Sequence, residues 1–103
     1  MATGTPYHLL FFTSERSGPA RRMDSLLAQL AHRERGRLRV SPVDADASPA
    51  LLEHFGVTEV PTLILLADGT PVGRLEGRAS APEIDALLAG HLPRGNPDRS
   101  LAA

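Results

Sequence analysis

The chain has 103 residues, a length that suits one domain able to bury a hydrophobic core without a metal or disulfide. Its 11 basic and 12 acidic side chains give a formal charge of -1, so no general attraction to nucleic acid or anionic membranes is expected. There is no cysteine, which excludes disulfides, thiolate catalysis and cysteine-bound metals.

The first six residues lack the basic and apolar regions of a signal peptide. No apolar run approaches the roughly 20 residues that span a bilayer. We therefore expect a cytoplasmic protein with no membrane or nucleic-acid partner. It divides into an N-terminal lead-in at residues 1–6, one domain at 7–92 and a flexible C-terminal tail at 93–103, which has little to bury.

The first strand is predicted at residues 7–12, where a nearly continuous apolar run indicates burial on both faces. Ser17 then stands at an N-cap position, with Pro19 in the first turn of a helix. Gly36 is expected to end that helix. Its apolar stripe follows i, i+3, i+4, i+7 spacing and consists of Met23, Leu26, Leu27 and Leu30.

A second strand is predicted at residues 38–43, and Pro42 indicates that it lies at a sheet edge because proline cannot donate to a ladder. A polar link at 44–47 follows, in which Asp44 and Asp46 are expected to serve in turns and caps, with a pair of chemically active carboxylates as the alternative. A short helix then runs to residue 55, with Ser48 as its cap and Gly56 closing it.

The last part of the chain predicts a hairpin and a helix. A buried strand at 62–66 leads to Asp68-Gly69, a strong hairpin signal, and a returning strand at 72–76. Ser80 and Glu83 form a capping box for the final helix. A right-handed βαβ crossover makes the first two strands parallel, and the hairpin makes the last two antiparallel. The predicted class is α/β, in the order β-α-β-(short α)-β-β-α, with a mixed four-stranded sheet and helices on both faces.

Two short motifs in this order resemble those of the thioredoxin family. Ser17-Gly18-Pro19-Ala20 is similar to the family's Cys-Gly-Pro-Cys site, and Val60-Pro61-Thr62 resembles its cis-proline loop. The resemblance covers roughly residues 7–92 and implies a thioredoxin-like fold. Supporting motifs occur in the family's order, namely Asp44-Ala45-Asp46, Phe55-Gly56-Val57, Asp68-Gly69 and Gly77.

The resemblance fails at the residues that carry redox chemistry. Ser17 and Ala20 replace the two cysteines, and Phe11 falls where the family has a buried acid. Pro42 falls near the lysine that partners this acid, and Arg16 replaces the tryptophan before the first cysteine. We therefore expect a redox-inactive member with no disulfide oxidoreductase activity, no catalytic residue and no cofactor.

The resemblance implies that Val60 exposes its backbone N–H and C=O to an extended peptide. We expect a non-catalytic, chaperone-like assembly module that binds an unidentified protein or peptide, as a monomer or homodimer. The surface expected to bind, called the groove below, comprises Thr13, Arg16, Ser17, Val60, Pro61 and Gly77, with Gly18, Pro19, Thr58 and Glu59 beside it.

Ser17 has two alternative interpretations, as a helix cap or as a residue that activates a glutathione-like thiol in an enzyme. Arg16, Arg21 and Arg22 crowd the same helix end and form a possible anion-binding cluster. The 4 histidines are dispersed over different elements without ligand spacing, so no metal site is predicted.

Overall fold

The computed structural model describes residues 6–92, so the predicted tail and, apart from Pro6, the predicted lead-in lie outside the described residues. The predicted order of elements is confirmed. The strands and helices are β1 (Tyr7–Thr13), α1 (Gly18–Arg22), α2 (Asp24–Arg33), β2 (Arg39–Asp44), a 3-10 turn (Ala45–Ala47), α3 (Pro49–Phe55), β3 (Thr62–Ala67), β4 (Thr70–Glu76) and α4 (Ala81–Ala89).

The first helix departs from the prediction because it is divided at Met23. The Met23 N–H donates to the Ala20 carbonyl at 3.0 Å, a tighter turn than an α-helix, and α2 then begins at Asp24. The prediction that Gly36 ends the helix is also wrong. Helix α2 ends at Arg33, and Gly36, with φ of 91°, belongs to the turn that leads into β2.

The four strands form one mixed sheet in the order β2-β1-β3-β4. Strand β1 pairs parallel with β2 and antiparallel with β3, which pairs antiparallel with β4. The two apolar strands are therefore central, and Pro42 lies in the edge strand β2, as predicted. The Asp68-Gly69 hairpin is confirmed, because both residues adopt positive φ, 52° and 83°.

Side chains alternate between two cores, one on each face of the sheet. Leu9 and Phe11 of β1 face α2 and α4, whereas Leu10 and Phe12 face α3. Phe12 is fully buried and meets Phe55 edge to face, with ring centroids 6.1 Å apart. Helices thus cover both faces. No helix within residues 6–92 has the length and apolar character needed to cross a membrane.

Two predicted caps have different outcomes. The capping box is present, since Ser80 Oγ accepts from the Glu83 N–H and the Glu83 carboxylate accepts from the Ser80 N–H. The sequence predicts that Ser48 caps α3 with its side chain, but that side chain makes no capping bond. Its backbone carbonyl instead accepts from Leu51 and Leu52, both at 3.1 Å. Gly56 closes α3 in the left-handed conformation, as predicted.

Strand register brings the predicted site residues to one end of the sheet, where β1, β2 and β4 finish and β3 begins. Thr13 at the end of β1 lies beside Asp44 at the end of β2. Thr62, the first residue of β3, lies between Phe12 of β1 and Glu76 of β4. The turn after β1, the loop before β3 and the turn after β4 therefore all lie at this end of the sheet.

Candidate functional site

Ser17 lies at the start of α1 and is its N-cap. The Ser17 hydroxyl oxygen accepts from the Ala20 N–H at 3.1 Å, and the Ser17 carbonyl accepts from Arg21 at 3.0 Å. The Ser17 N–H donates to the Ser14 carbonyl at 3.0 Å, which fixes the turn between β1 and α1. Ala20 is completely buried. The cap that the sequence predicted at Ser17 is thus present.

A hydrogen-bonded cluster of Ser14, Arg16 and Asp46 holds this turn against the end of β2. The Ser14 hydroxyl donates to Asp46 Oδ2 at 2.6 Å and accepts from the Arg16 N–H at 3.1 Å. The Arg16 guanidinium meets Asp46 Oδ1 at 2.7 Å. Asp44 Oδ1 accepts from the Asp46 N–H at 3.0 Å, which is the predicted capping role of Asp44.

The same cluster shifts the pKa of both charged partners. Hydrogen bonds from Arg16 and then Ser14 hold the pKa of the Asp46 carboxyl below its ordinary value. The hydrogen bond to Asp46 correspondingly raises the pKa of Arg16. Asp46 therefore stays ionised and is poorly suited to act as a general base. The sequence does not predict this role of Asp46, since its partners are 30 and 32 residues away.

The three arginines predicted as an anion cluster occupy different environments. Arg16 already has a carboxylate partner in Asp46. Arg22 folds its guanidinium over Gly18, where a methyl group on the glycine would lie 3.6 Å from Nη1. Arg21 lines an open cleft whose other residues are Thr13, Ser14, Glu15, Asp24, Pro42 and Asp44.

The loop before β3, residues 57–61, is called the proline loop. The Val57 N–H donates to Leu52 at 2.8 Å, and the Gly77 N–H donates to the Pro61 carbonyl at 2.8 Å. Between these ends, the Thr62 hydroxyl donates to the Glu59 carbonyl at 2.7 Å. The Val60–Pro61 peptide bond is cis. The loop is therefore fastened to both α3 and the turn after β4.

The main chain of Val60 makes no hydrogen bond to the described residues 6–92, which is also true of Thr58 in the same loop. Pro61 is buried and Val60 is partly exposed. In the part of the chain that the structure describes, no hydrogen bond engages the Val60 N–H or C=O. Val60 lies two residues before Thr62, the β3 residue that pairs with Phe12, at the end of the sheet where β1 finishes. An unpaired main-chain donor and acceptor can pair with an added extended chain.

Arg74 on β4 supports the chain just before the proline loop, at the end of α3. Its guanidinium donates to the carbonyls of Phe55 at 2.8 Å and Gly56 at 3.2 Å, and it meets Glu76 Oε2 at 3.0 Å. The final carbonyls of a helix lack partners within the helix, so an arginine is well suited to bind them. The sequence does not predict this contact, because nothing in the local pattern distinguishes Arg74 from other exposed strand residues.

Gly77 contributes to the site through its backbone. Its φ is 85°, a conformation that favours glycine, and its N–H is engaged by Pro61. The Glu59 carboxylate lies over it, 3.5 Å from where a methyl group would be. Gly77 therefore shapes the turn and anchors the proline loop, and its N–H is not free for a ligand.

Histidines do not join this site as metal ligands. Within residues 6–92, no group of three or more histidine, aspartate or glutamate side chains could hold a metal ion. His8 bonds to the Ser41 hydroxyl at 2.7 Å across the β1–β2 pair. Burial and then the nearby Arg39 lower the pKa of His8.

The strand order, the capped turn after β1 and the proline loop define a thioredoxin-fold protein. The Thioredoxin family model matches residues 2–90. A thioredoxin-like protein from Synechocystis sp. is 32% identical over 85 residues, covering 82% of this chain and 81% of that protein. A thioredoxin from Chlamydia muridarum is 36% identical over 83 residues, covering 81% of this chain and 80% of that protein.

The solved structures agree. A mutant thioredoxin from Halobacterium salinarum superimposes with a TM-score of 0.79 at 27% identity, covering 89% of this chain and 80% of that one. The chain therefore belongs to the thioredoxin family. Because it contains no cysteine, it is a cysteine-less, thioredoxin-like member.

Proposed function

We propose that this chain is a redox-inactive thioredoxin-fold module that binds an extended segment of a partner protein without a covalent intermediate. The observation that carries the proposal is the unpaired backbone N–H and C=O of Val60, just before the central strand β3. An extended peptide that pairs with these two groups gains main-chain hydrogen bonds, and neighbouring side chains supply specificity.

The contacts around Val60 support this role because they hold the loop in place before a ligand arrives. Arg74 fastens the end of α3, Thr62 bonds to the Glu59 carbonyl, and Gly77 bonds to Pro61. A loop that is already ordered loses less conformational entropy on binding, which favours affinity. The groove is therefore suited to bind a peptide without a large change in its own conformation.

The chemistry at the first junction also favours binding over redox catalysis. Disulfide exchange requires a thiolate, whereas this junction carries the hydroxyl of Ser17 and the methyl group of Ala20. The Ser17 oxygen accepts the Ala20 N–H as a cap, and the neighbouring carboxylate, Asp46, is held ionised by Arg16. We propose that reduction of insulin in a dithiol assay will show no turnover above the dithiol background.

The proposal is tested by selecting a phage-displayed library of random linear peptides on the full chain. The wild type should enrich specific sequences, and the Val60→Pro variant, which lacks the N–H, should lose them. Val60→Ala is the matched control, because it shortens the side chain and keeps the donor. Circular dichroism establishes that each variant is folded. Equal enrichment by Val60→Pro and the wild type would contradict backbone pairing at Val60.

A glutathione-binding or anion-binding enzyme that uses Ser17 is the alternative. Titration with glutathione and with inorganic phosphate, followed by amide chemical shifts, separates the two proposals. We expect no saturable shift at Gly18 or Ala20. A saturable shift there with glutathione, abolished in Ser17→Ala, would favour the enzyme.

A further inference from the structure

Arg22 places an unpaired positive charge on the α1 side of the groove. Its guanidinium lies over Gly18, with Nη1 and Nη2 3.6 and 3.8 Å from where a methyl group on the glycine would be. Helical side chains lean toward the N-terminus, so an arginine reaches back over a residue four positions earlier. No hydrogen bond or ion pair engages Arg22 within residues 6–92, whereas Arg16 is neutralised by Asp46.

Glu59 places an unpaired negative charge on the β4 side. Its side chain is exposed, and its Oε1 lies over Gly77, 3.5 Å from where a methyl group would be. Arg78 follows Gly77 in the chain, but no ion pair joins it to Glu59 in the described range 6–92. The Glu59 carboxylate is therefore available to a cation at the rim of the groove.

The order of the sheet places the elements that hold these two charges, α1 after β1 and the turn after β4, on either side of the start of β3. Helix α1 follows β1, and Gly77 follows β4, while β3 lies between these two strands. Val60 and Pro61 immediately precede β3. A segment that pairs with Val60 thus has Arg22 toward one side and Glu59 toward the other.

We propose, on the basis of the proposed function, that the bound segment carries an acidic side chain toward Arg22 and a basic side chain toward Glu59. Residues at different positions along one extended segment can meet the two charges, because such a segment rises about 3.3 Å per residue. Complementary charges at a rim fix register and exclude wrong partners more than they add affinity. The partner class is then a mixed-charge extended segment, and a uniformly acidic or basic one is disfavoured.

Charge-reversal variants of the full chain test this pairing. The same phage-displayed library is selected on the wild type, Arg22→Glu, Glu59→Arg and the double variant. The wild-type pool should be enriched in peptides with an acid and a base at a fixed spacing. Arg22→Glu should replace the acid by a base, Glu59→Arg should replace the base by an acid, and the double variant should select the reversed order.

Affinity gives a second readout with a synthetic, fluorescently labelled peptide from the wild-type pool. Each reversal replaces an attraction by a repulsion, so we expect the Kd from fluorescence anisotropy to rise about fivefold. A peptide with the matching reversed charge should recover the loss. Arg35→Glu and Glu53→Arg make the same charge changes at exposed positions outside the groove and should leave the Kd unchanged.

The outcomes separate this inference from the proposed function. Peptides that enrich on the wild type but show the same charge pattern on every variant would overturn the inference and leave backbone recognition standing. A library that yields no enriched peptide would overturn both. A Kd that rises equally in Arg35→Glu and Arg22→Glu would reflect net charge alone and would also overturn the inference.

Discussion

Substituting Ser17 by alanine tests whether this residue serves as a cap. The change removes the oxygen that accepts the Ala20 N–H at 3.1 Å, and Ala20 is completely buried. Losing an N-cap typically costs about 1 kcal/mol. A buried N–H left without an acceptor costs about 1–3 kcal/mol, so we expect a loss of about 1–2 kcal/mol in the free energy of unfolding.

Helix α1 should persist in this variant, because the Ser17 carbonyl still accepts from Arg21 and the Ser17 N–H still reaches Ser14. The loss should appear in guanidinium unfolding followed by far-UV circular dichroism. The dependence of the free energy of unfolding on denaturant concentration should be unchanged. For a domain of this size it corresponds to a fall in Tm of about 5–10 °C.

Two matched variants complete the test. Ser17→Asp keeps an acceptor at the cap and should stay within about 0.5 kcal/mol of the wild type. Ser25→Ala changes an exposed serine in the first turn of α2 whose side chain makes no hydrogen bond within residues 6–92, and should not destabilise. Equal stabilities for Ser17→Ala and the wild type would refute the reasoning.

Three further predictions concern the contacts that position the site. Because the pKa of Asp46 is lowered in the folded state, its stabilising effect is complete well above pH 3.8 and disappears as pH falls through the folded pKa. Acid unfolding of Asp46→Asn should therefore show a shallower loss of stability at low pH than the wild type, and identical profiles would contradict this. Arg74→Met should lower the free energy of unfolding by about 1–2 kcal/mol and weaken peptide binding, because the carbonyls of Phe55 and Gly56 lose a charged donor; Arg35→Met should do neither. Gly73→Val should cost about 1 kcal/mol by overpacking, at the low end of the usual range, since even a methyl group there would lie 2.6 Å from Leu87 Cδ1, the movable end of a side chain. Gly90→Ala, whose added methyl group lies 3.6 Å from its nearest neighbour, is the tolerated control in thermal unfolding.

The parts of the fold that the sequence predicts correctly depend on local signals. Central strands β1 and β3 are continuous apolar runs, which only a sheet covered on both faces accommodates. The Asp68-Gly69 hairpin follows from the positive φ that these residues tolerate. The caps at Ser17 and Ser80 follow from side chains that bond to backbone a few positions away.

The parts that sequence reasoning misses depend on contacts between distant positions. Asp46 meets Arg16 across 30 residues, and Arg74 reaches Phe55 across 19, so no local pattern indicates either pair. The division at Met23 is a change of hydrogen-bond pattern within a continuous apolar stripe, which periodicity does not detect. The charges on the two sides of Val60 become visible only once the sheet order is known.

Systematic N-methylation of an enriched peptide tests the central claim most directly. Each backbone N–H of the peptide is methylated in turn, and the Kd for the full chain is measured by fluorescence anisotropy. If Val60 pairs with the peptide main chain, one methyl group should raise the Kd about tenfold in the wild type, because it removes the donor to the Val60 carbonyl. Methyl groups elsewhere should have little effect. A scan in which no position matters would show that side chains alone hold the peptide, and the proposed pairing at Val60 would then be wrong.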